Sequence, residues 1–244
     1  MTIINRRAFL AVAAIAPLGA LSACTTTTST DEDGNVVTKR RPRGRMPFGA
    51  EPTFPPFEEM YGEQSDGEFQ LPAIPYTKID ERYLRQVDKD TTREKAGTIV
   101  VDTSNHYLYL VLGNGNAIRY GVGLGRAGFE WSGNGEVKRK AQWPRWHPPD
   151  EMIDREPQLE KYRTTYDRKN DKWLGGMDGG LKNPLGARAL YIYQGNVDTL
   201  YRLHGSPQWS SIGKSVSSGC VRLMNQDVID LHSRVPSGTP IVEK

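Results

Sequence analysis

Between Thr98 and Val122 the chain reads as strand, turn, strand, turn, strand. Thr98-Ile99-Val100-Val101 and His106-Tyr107-Leu108-Tyr109-Leu110-Val111-Leu112 flank Asp102-Thr103-Ser104-Asn105, and Gly113-Asn114-Gly115-Asn116 leads into Ala117-Ile118-Arg119-Tyr120-Gly121-Val122. β-Branched and aromatic residues fit a pleated, half-buried surface, while Asn, Asp and Gly tolerate the backbone of tight turns. The pattern returns at 189–193, at a Gly195-Asn196 turn and at 199–203, and closes with Pro240-Ile241-Val242-Glu243. Short strands at this spacing predict a mainly β domain, either a sandwich or a curled mixed sheet. One helix interrupts them: Asn225 is placed to cap it, Val228, Leu231, His232 and Val235 share a face, and Pro236-Ser237-Gly238 stops it. Glu151-Met152-Ile153 and Gln158-Leu159-Glu160 read as short helical turns inside the charged, weakly patterned stretch 143–180, which is either a lid or a decorated connection.

These signals confine the folded part to residues 97–244, roughly 150 residues, enough for one domain with its own core. Residues 25–96 have a different composition. Thr25-Thr26-Thr27-Thr28-Ser29-Thr30 is low in complexity, Lys39-Arg40-Arg41-Pro42-Arg43-Gly44-Arg45 is a basic run, and prolines crowd the stretch 42–75. Such a segment buries little apolar surface and is expected to be a tether, largely disordered or partly wrapped on the domain. Its basic run suits either a solvated linker or contact with anionic lipid or wall polymer. The net charge of +3 over 244 residues is too small to assign a partner.

Residues 1–24 read as an export signal. Arg6-Arg7 before Ala8-Phe9-Leu10 resembles a Tat address, and an ordinary Sec leader is the alternative. The apolar run is short and broken by Pro17, which argues against a permanent membrane span. Leu21-Ser22-Ala23-Cys24 matches a bacterial lipobox, in which the cysteine carries the lipid; the alternative is removal of Cys24 with a conventional leader. The expected location is therefore the periplasm, on a lipid anchor, and nucleic acid is a poor partner for an exported chain.

The chain has two cysteines. If Cys24 is lipidated, Cys220 is left without a disulfide partner, and reactivity becomes the reason for its presence. It closes Ser217-Ser218-Gly219-Cys220, downstream of His204 in Leu203-His204-Gly205. A thiol attacking an amide needs a neighbouring imidazole to take its proton and return it to the leaving amine. Gly219 lets backbone approach the substrate, and the Gly219 and Cys220 amides are candidates to hold the oxyanion.

Leu203-His204-Gly205 followed by Ser217-Ser218-Gly219-Cys220-Val221-Arg222-Leu223 resembles the signature of the YkuD-type L,D-transpeptidases, the ErfK/YbiS group. Asn183-Pro184-Leu185-Gly186-Ala187-Arg188-Ala189-Leu190 and Asn225-Gln226-Asp227-Val228-Ile229-Asp230-Leu231 extend the likeness to about 97–243. The resemblance implies a curled sheet or sandwich with the C-terminal helix packed on it, Cys220 as nucleophile, His204 as proton donor and acceptor, and the Gly205 carbonyl orienting the imidazole. It implies peptidoglycan stem peptides as substrate: the bond between stem residues three and four is cut, D-Ala leaves, and the thioester passes to an amine of another stem, giving a 3→3 crosslink, or to an envelope protein, a D-amino acid or water. No metal or organic cofactor is implied. This chain departs from the family pattern at Ser218, where many members have a second histidine, and at Arg222, where many have asparagine.

Ser217, Ser218, Arg222 and Trp209 are the substrate-binding candidates; for Arg222 a bidentate grip on a substrate carboxylate competes with a structural salt bridge. Trp143 and Trp146 fit core packing or a groove. His106, His147 and His232 are not expected to be catalytic. Gly123-Leu124-Gly125-Arg126-Ala127-Gly128 matches a dinucleotide fingerprint in letters, but no good helix start follows it, so it reads as a turn-rich sheet edge. Other functions stay open: an L,D-carboxypeptidase, a non-enzymatic wall-binding lipoprotein, or a papain- or NlpC-type hydrolase, against which the His-before-Cys order counts. A thiol redox role lacks a resolving cysteine.

Overall fold

A computed structural model describes residues 26–30, 36–40, 52–126, 132–217 and 219–244. The leader, Cys24 and most of the basic run lie outside the described residues, as does Ser218. Nine strands form the main sheet: β1 (Gln86–Lys89), β2 (Ile99–Asp102), β3 (Tyr107–Val111), β4 (Asn116–Gly121), β5 (Gly133–Gln142), β6 (Arg188–Gln194), β7 (Val197–Ser206), β8 (Val221–Met224) and β9 (Thr239–Glu243). Their spatial order is β8-β7-β6-β5-β9-β2-β3-β4-β1. The β7–β8 and β9–β2 pairs are parallel, and the other neighbours are antiparallel.

The architecture is thus a mainly β mixed sheet, and its core explains the curl. Ile118 and Tyr120 from β4 meet Leu203 from β7 and Leu223 from β8 in one apolar cluster, although these strands stand far apart in the sheet order. Only a sheet bent around its contents brings them together. Those contents include α1 (Asn225–Arg234), whose Val228 and Leu231 are fully buried in the same cluster. Alternate residues of the strands face away and pack separately, as Val100, Tyr109, Val111 and Ala117 do.

Two expectations change at the helix and before it. Asn225 is the first residue of α1 rather than its cap; Met224 precedes it, with no capping side chain. The Asn225 Oδ1 instead accepts a hydrogen bond from the Ala187 amide at 2.9 Å, so a tertiary bond between helix and loop displaces the local capping role. The larger difference concerns 52–96, expected to belong to a tether that at most wraps partly on the domain. Within it Met60, Tyr61, Leu71, Ile74 and Leu84 are buried, and β1 extends the main sheet beside β4. Met60, Tyr61, Ile74 and Leu84 form a second core with Ile212 and Met224 of the domain. These apolar residues are scattered among prolines and charges, so no periodicity announces them. Upstream, Thr26–Thr30 pairs antiparallel with Val36–Arg40. The helical turns fall at Asp150–Arg155 and Pro157–Tyr162, as the sequence predicts.

A buried ionic cluster fastens the upstream segment to α1. Tyr61 Oη donates to Asp227 Oδ1 at 3.2 Å and accepts from the Arg85 amide at 2.6 Å. The Arg85 Nη1 lies 3.7 Å from Asp227 and 3.3 Å from Asp230. Asp227 has no exposed surface, and burial raises its carboxyl pKa to about 7 against the opposing pull of Arg85. A carboxyl with a raised folded-state pKa holds a proton that the unfolded chain gives up, so its contribution to stability is lost as pH rises toward 7 and beyond. Replacing Arg85 by Met removes the opposing charge and raises that pKa further. The variant should lose about 3–5 kcal/mol at pH 8 and clearly less at pH 5.5 in urea unfolding, because below the raised pKa the carboxyl is already neutral. An equal loss at both pH values would overturn this account.

Candidate active site

β7 carries His204 near its end, and the parallel partner β8 begins one residue after Cys220. The register pairs Leu203 with Val221 and His204 with Arg222, which sets Cys220 beside Arg202 at the head of the pair. His204 and Cys220, separated by the loop 207–219, are therefore delivered to adjacent strands. β7 approaches α1 closely at Gly205, where any Cβ would strike the Asn225 Oδ1.

His204 is buried, and its Nδ1 lies 2.6 Å from the Gly205 carbonyl. A carbonyl only accepts, so this bond fixes the proton on Nδ1 and leaves Nε2 as the acceptor in the neutral ring. Burial lowers the His204 pKa from 6.5 to about 4; the Gly205 and Pro184 carbonyls oppose that shift, and the nearby Arg222 and Arg202 reinforce it. Burial also raises the Cys220 thiol above its ordinary range, with Arg202 and Arg222 pulling it back. Cys220 is partly buried as a residue, and its thiol is closely surrounded by protein atoms. Both shifts favour the neutral form of each group, an arrangement suited to proton transfer between them rather than to a standing thiolate–imidazolium pair.

The loop before Cys220 is held by its own serine. Ser217, expected as a substrate contact, is buried; its Oγ donates to the Cys220 carbonyl at 2.7 Å and accepts from the Gly219 amide at 3.3 Å. Ser217 thus braces the turn before Cys220, and the Gly219 amide has a partner within the loop. Gly219 itself sits at φ +122°, open to glycine and strained for other residues. Arg222 is partly buried, and among the described residues its side chain meets no carboxylate, only Gln208 Oε1 at 3.3 Å. The salt-bridge reading is thus not what the described residues form. Burial lowers its pKa, and Cys220 raises it.

Trp209 begins a short 3₁₀ turn, Trp209–Ser211, and packs partly against the second core. His106 Nε2 contacts Ser215 Oγ, His147 Nδ1 contacts Thr164 Oγ1, and His232 is buried on α1. Trp143 Nε1 donates to Asp66 Oδ2 at 2.8 Å, a structural role. The glycine-rich stretch is described only through Arg126; there Leu124–Gly125 pairs in parallel with Ser215–Ser217 as a sheet edge. No group of three or more His, Cys, Asp or Glu residues suited to a metal occurs among the described residues. Sequence reasoning missed Arg202, whose guanidinium grips Asp198 at 2.7 and 2.9 Å and lies over the Tyr191 ring at 4.4 Å. Only the β7–β8 register reveals its place beside Cys220.

A strand-borne histidine tied to the next carbonyl, with a lone cysteine opening the neighbouring parallel strand, defines a Cys-His site on a mixed β sheet. The chain belongs to the YkuD family: the model of the L,D-transpeptidase catalytic domain matches residues 96–242. It is 32% identical over 155 residues to the probable L,D-transpeptidase ErfK/SrfK of Escherichia coli K12, covering 62% of this chain and 44% of that protein. It is 30% identical to the probable L,D-transpeptidase YbiS of the same strain, covering 62% and 45%. The matched region thus spans less than half the length of these relatives. A solved Brucella melitensis structure described as a probable carnitine operon oxidoreductase caia is 43% identical, covering 66% of this chain and 94% of that one at a TM-score of 0.44.

The neutral imidazole has a measurable consequence. Between its depressed pKa and 6.5 the unfolded chain binds a proton that the native His204 does not, so this residue's contribution to stability is present at neutral pH and lost as pH falls through that window. In histidine-labelled NMR, His204 should stay neutral from pH 8 down to about 5. A midpoint near 6.5 would contradict the burial argument.

Proposed function

We propose that this chain is an exported, lipid-anchored L,D-transpeptidase of the cell envelope, with Cys220 as nucleophile and His204 as general base and acid. The observation that carries the reading is the His204 Nδ1–Gly205 carbonyl bond of 2.6 Å on the strand beside the one that Cys220 opens. Family membership supports the substrate, a peptidoglycan tetrapeptide stem.

In this reading the His204 Nε2 takes the Cys220 proton as sulfur attacks the carbonyl of stem residue three. The Cys220 amide is the remaining local candidate for the oxyanion, since Ser217 engages that of Gly219. The C–N bond to D-Ala breaks, the amine leaves with the proton from His204, and a thioester remains. An acceptor amine, from another stem or an envelope protein, gives up a proton to His204 and displaces the sulfur. Arg222, half-buried and free of acidic partners among the described residues, supports recognition of a stem carboxylate with Gln208 beside it. Cys24 is the proposed lipid site; among the described residues no helix is long and apolar enough to cross a membrane.

Mass spectrometry of tetrapeptide muropeptides incubated with the full chain tests this. Loss of D-Ala together with a new crosslinked dimer is expected, and Cys220→Ala should cut the rate by at least ~10³-fold. Loss of D-Ala without a dimer would redirect the reading to a carboxypeptidase or to a protein acceptor. Unchanged turnover in the variant would overturn Cys220 as nucleophile.

A further inference from the structure

A cavity of about 240 Å³ opens where residues 78–83 meet the loop 209–214. One side comes from outside the family match, which begins at residue 96; the other is the loop that joins the His204 strand to Cys220. Tyr83 and Trp209 form aromatic walls, and Ile212 and Gly213 complete the apolar surface. The seam is tightly fitted: a Cβ on Gly213 would fall 2.5 Å from the Tyr83 ring. Lys78 and Lys214 also line it, both exposed and neither paired with an acid among the described residues. The one carboxylate in the lining, Asp80, is occupied by Arg82, whose Nε lies 2.8 Å away. Two aromatic side chains in the lining with a positive rim suit a sugar ring attached to an anionic chain, Trp209 being the more open of the two because Arg82 lies over the Tyr83 ring at 5.4 Å.

We propose that this cavity is a subsite for the glycan end of the donor strand, with the muramyl sugar against Trp209 and Tyr83 and an acidic group of the stem between Lys78 and Lys214. The proposal rests on the transpeptidase reading and deepens it. Lys214 lies three residues before Ser217, whose Oγ holds the Cys220 carbonyl at 2.7 Å, so the cavity and the thiol are borders of one continuous loop. Because residues 78–83 lie outside the family match, this subsite is an addition that the shared catalytic domain does not itself supply.

Equilibrium binding to the full chain carrying Cys220→Ala separates the subsite from turnover. Disaccharide-tetrapeptide should bind on the order of fivefold or more tighter than the same tetrapeptide without sugar, and Trp209→Ala should erase that advantage. Because Trp209 also touches the second core, the exposed double change Lys78→Ser with Lys214→Ser gives a second test. It should weaken disaccharide-tetrapeptide binding about threefold at low salt, and the difference should vanish at high salt. Equal affinity for the two ligands, or an advantage that survives Trp209→Ala in a folded variant, would overturn the subsite, as would a lysine pair without effect. Cys220-dependent loss of D-Ala in the wild-type chain, measured separately, would then still stand as evidence for the reaction.

Discussion

The parallel pairing of β7 with β8 is the constraint from which the site follows. It sets His204 opposite Arg222 and Cys220 beside Arg202, so a base, a thiol and two guanidinium groups are gathered by backbone hydrogen bonds alone. A parallel pair cannot be joined by a tight turn, and the connection between these strands must be long. That length is the loop carrying Gln208, Trp209 and Ser217, which supplies the surroundings of Cys220. α1 then locks the arrangement from below, with the Asn225 amide group bonded to Ala187 and seated against the bare backbone of Gly205.

The electrostatics of the pair reflect a compromise between burial and charge. Desolvation pushes both His204 and Cys220 toward neutrality, while Arg202 and Arg222 favour sulfur anion and oppose imidazolium. The same two cations therefore act in opposite senses on the two partners: they ease thiolate formation and discourage the ring from keeping a proton.

Legibility in the sequence followed the range of the interaction. The hairpins formed by β2, β3 and β4 are local, and alternation with Asn- and Gly-rich turns exposed them directly. The bond between His204 and the Gly205 carbonyl was readable because it lies within one short motif. The segment 52–96 was not, since Met60, Tyr61 and Leu84 become a core only against Ile212 and Met224. Ser217 looked like a substrate contact because sequence cannot show that its hydroxyl turns inward to the Cys220 carbonyl. Arg202 carried no signal at all, for its position depends on a register set by residues far along the chain. Asn225 shows a local rule overridden by a tertiary bond.

The placement of β9 bears on how such a chain comes to be folded. Residues 239–243 sit in the interior of the sheet, between β5 and β2, rather than at its rim. Tyr61 likewise reaches Asp227 across 166 residues of sequence. While residues 239–243 are out of place, β5 and β2 each present an open strand edge. Their insertion joins two halves of the sheet that no other strand pairing connects, so closure depends on contacts of long sequence separation.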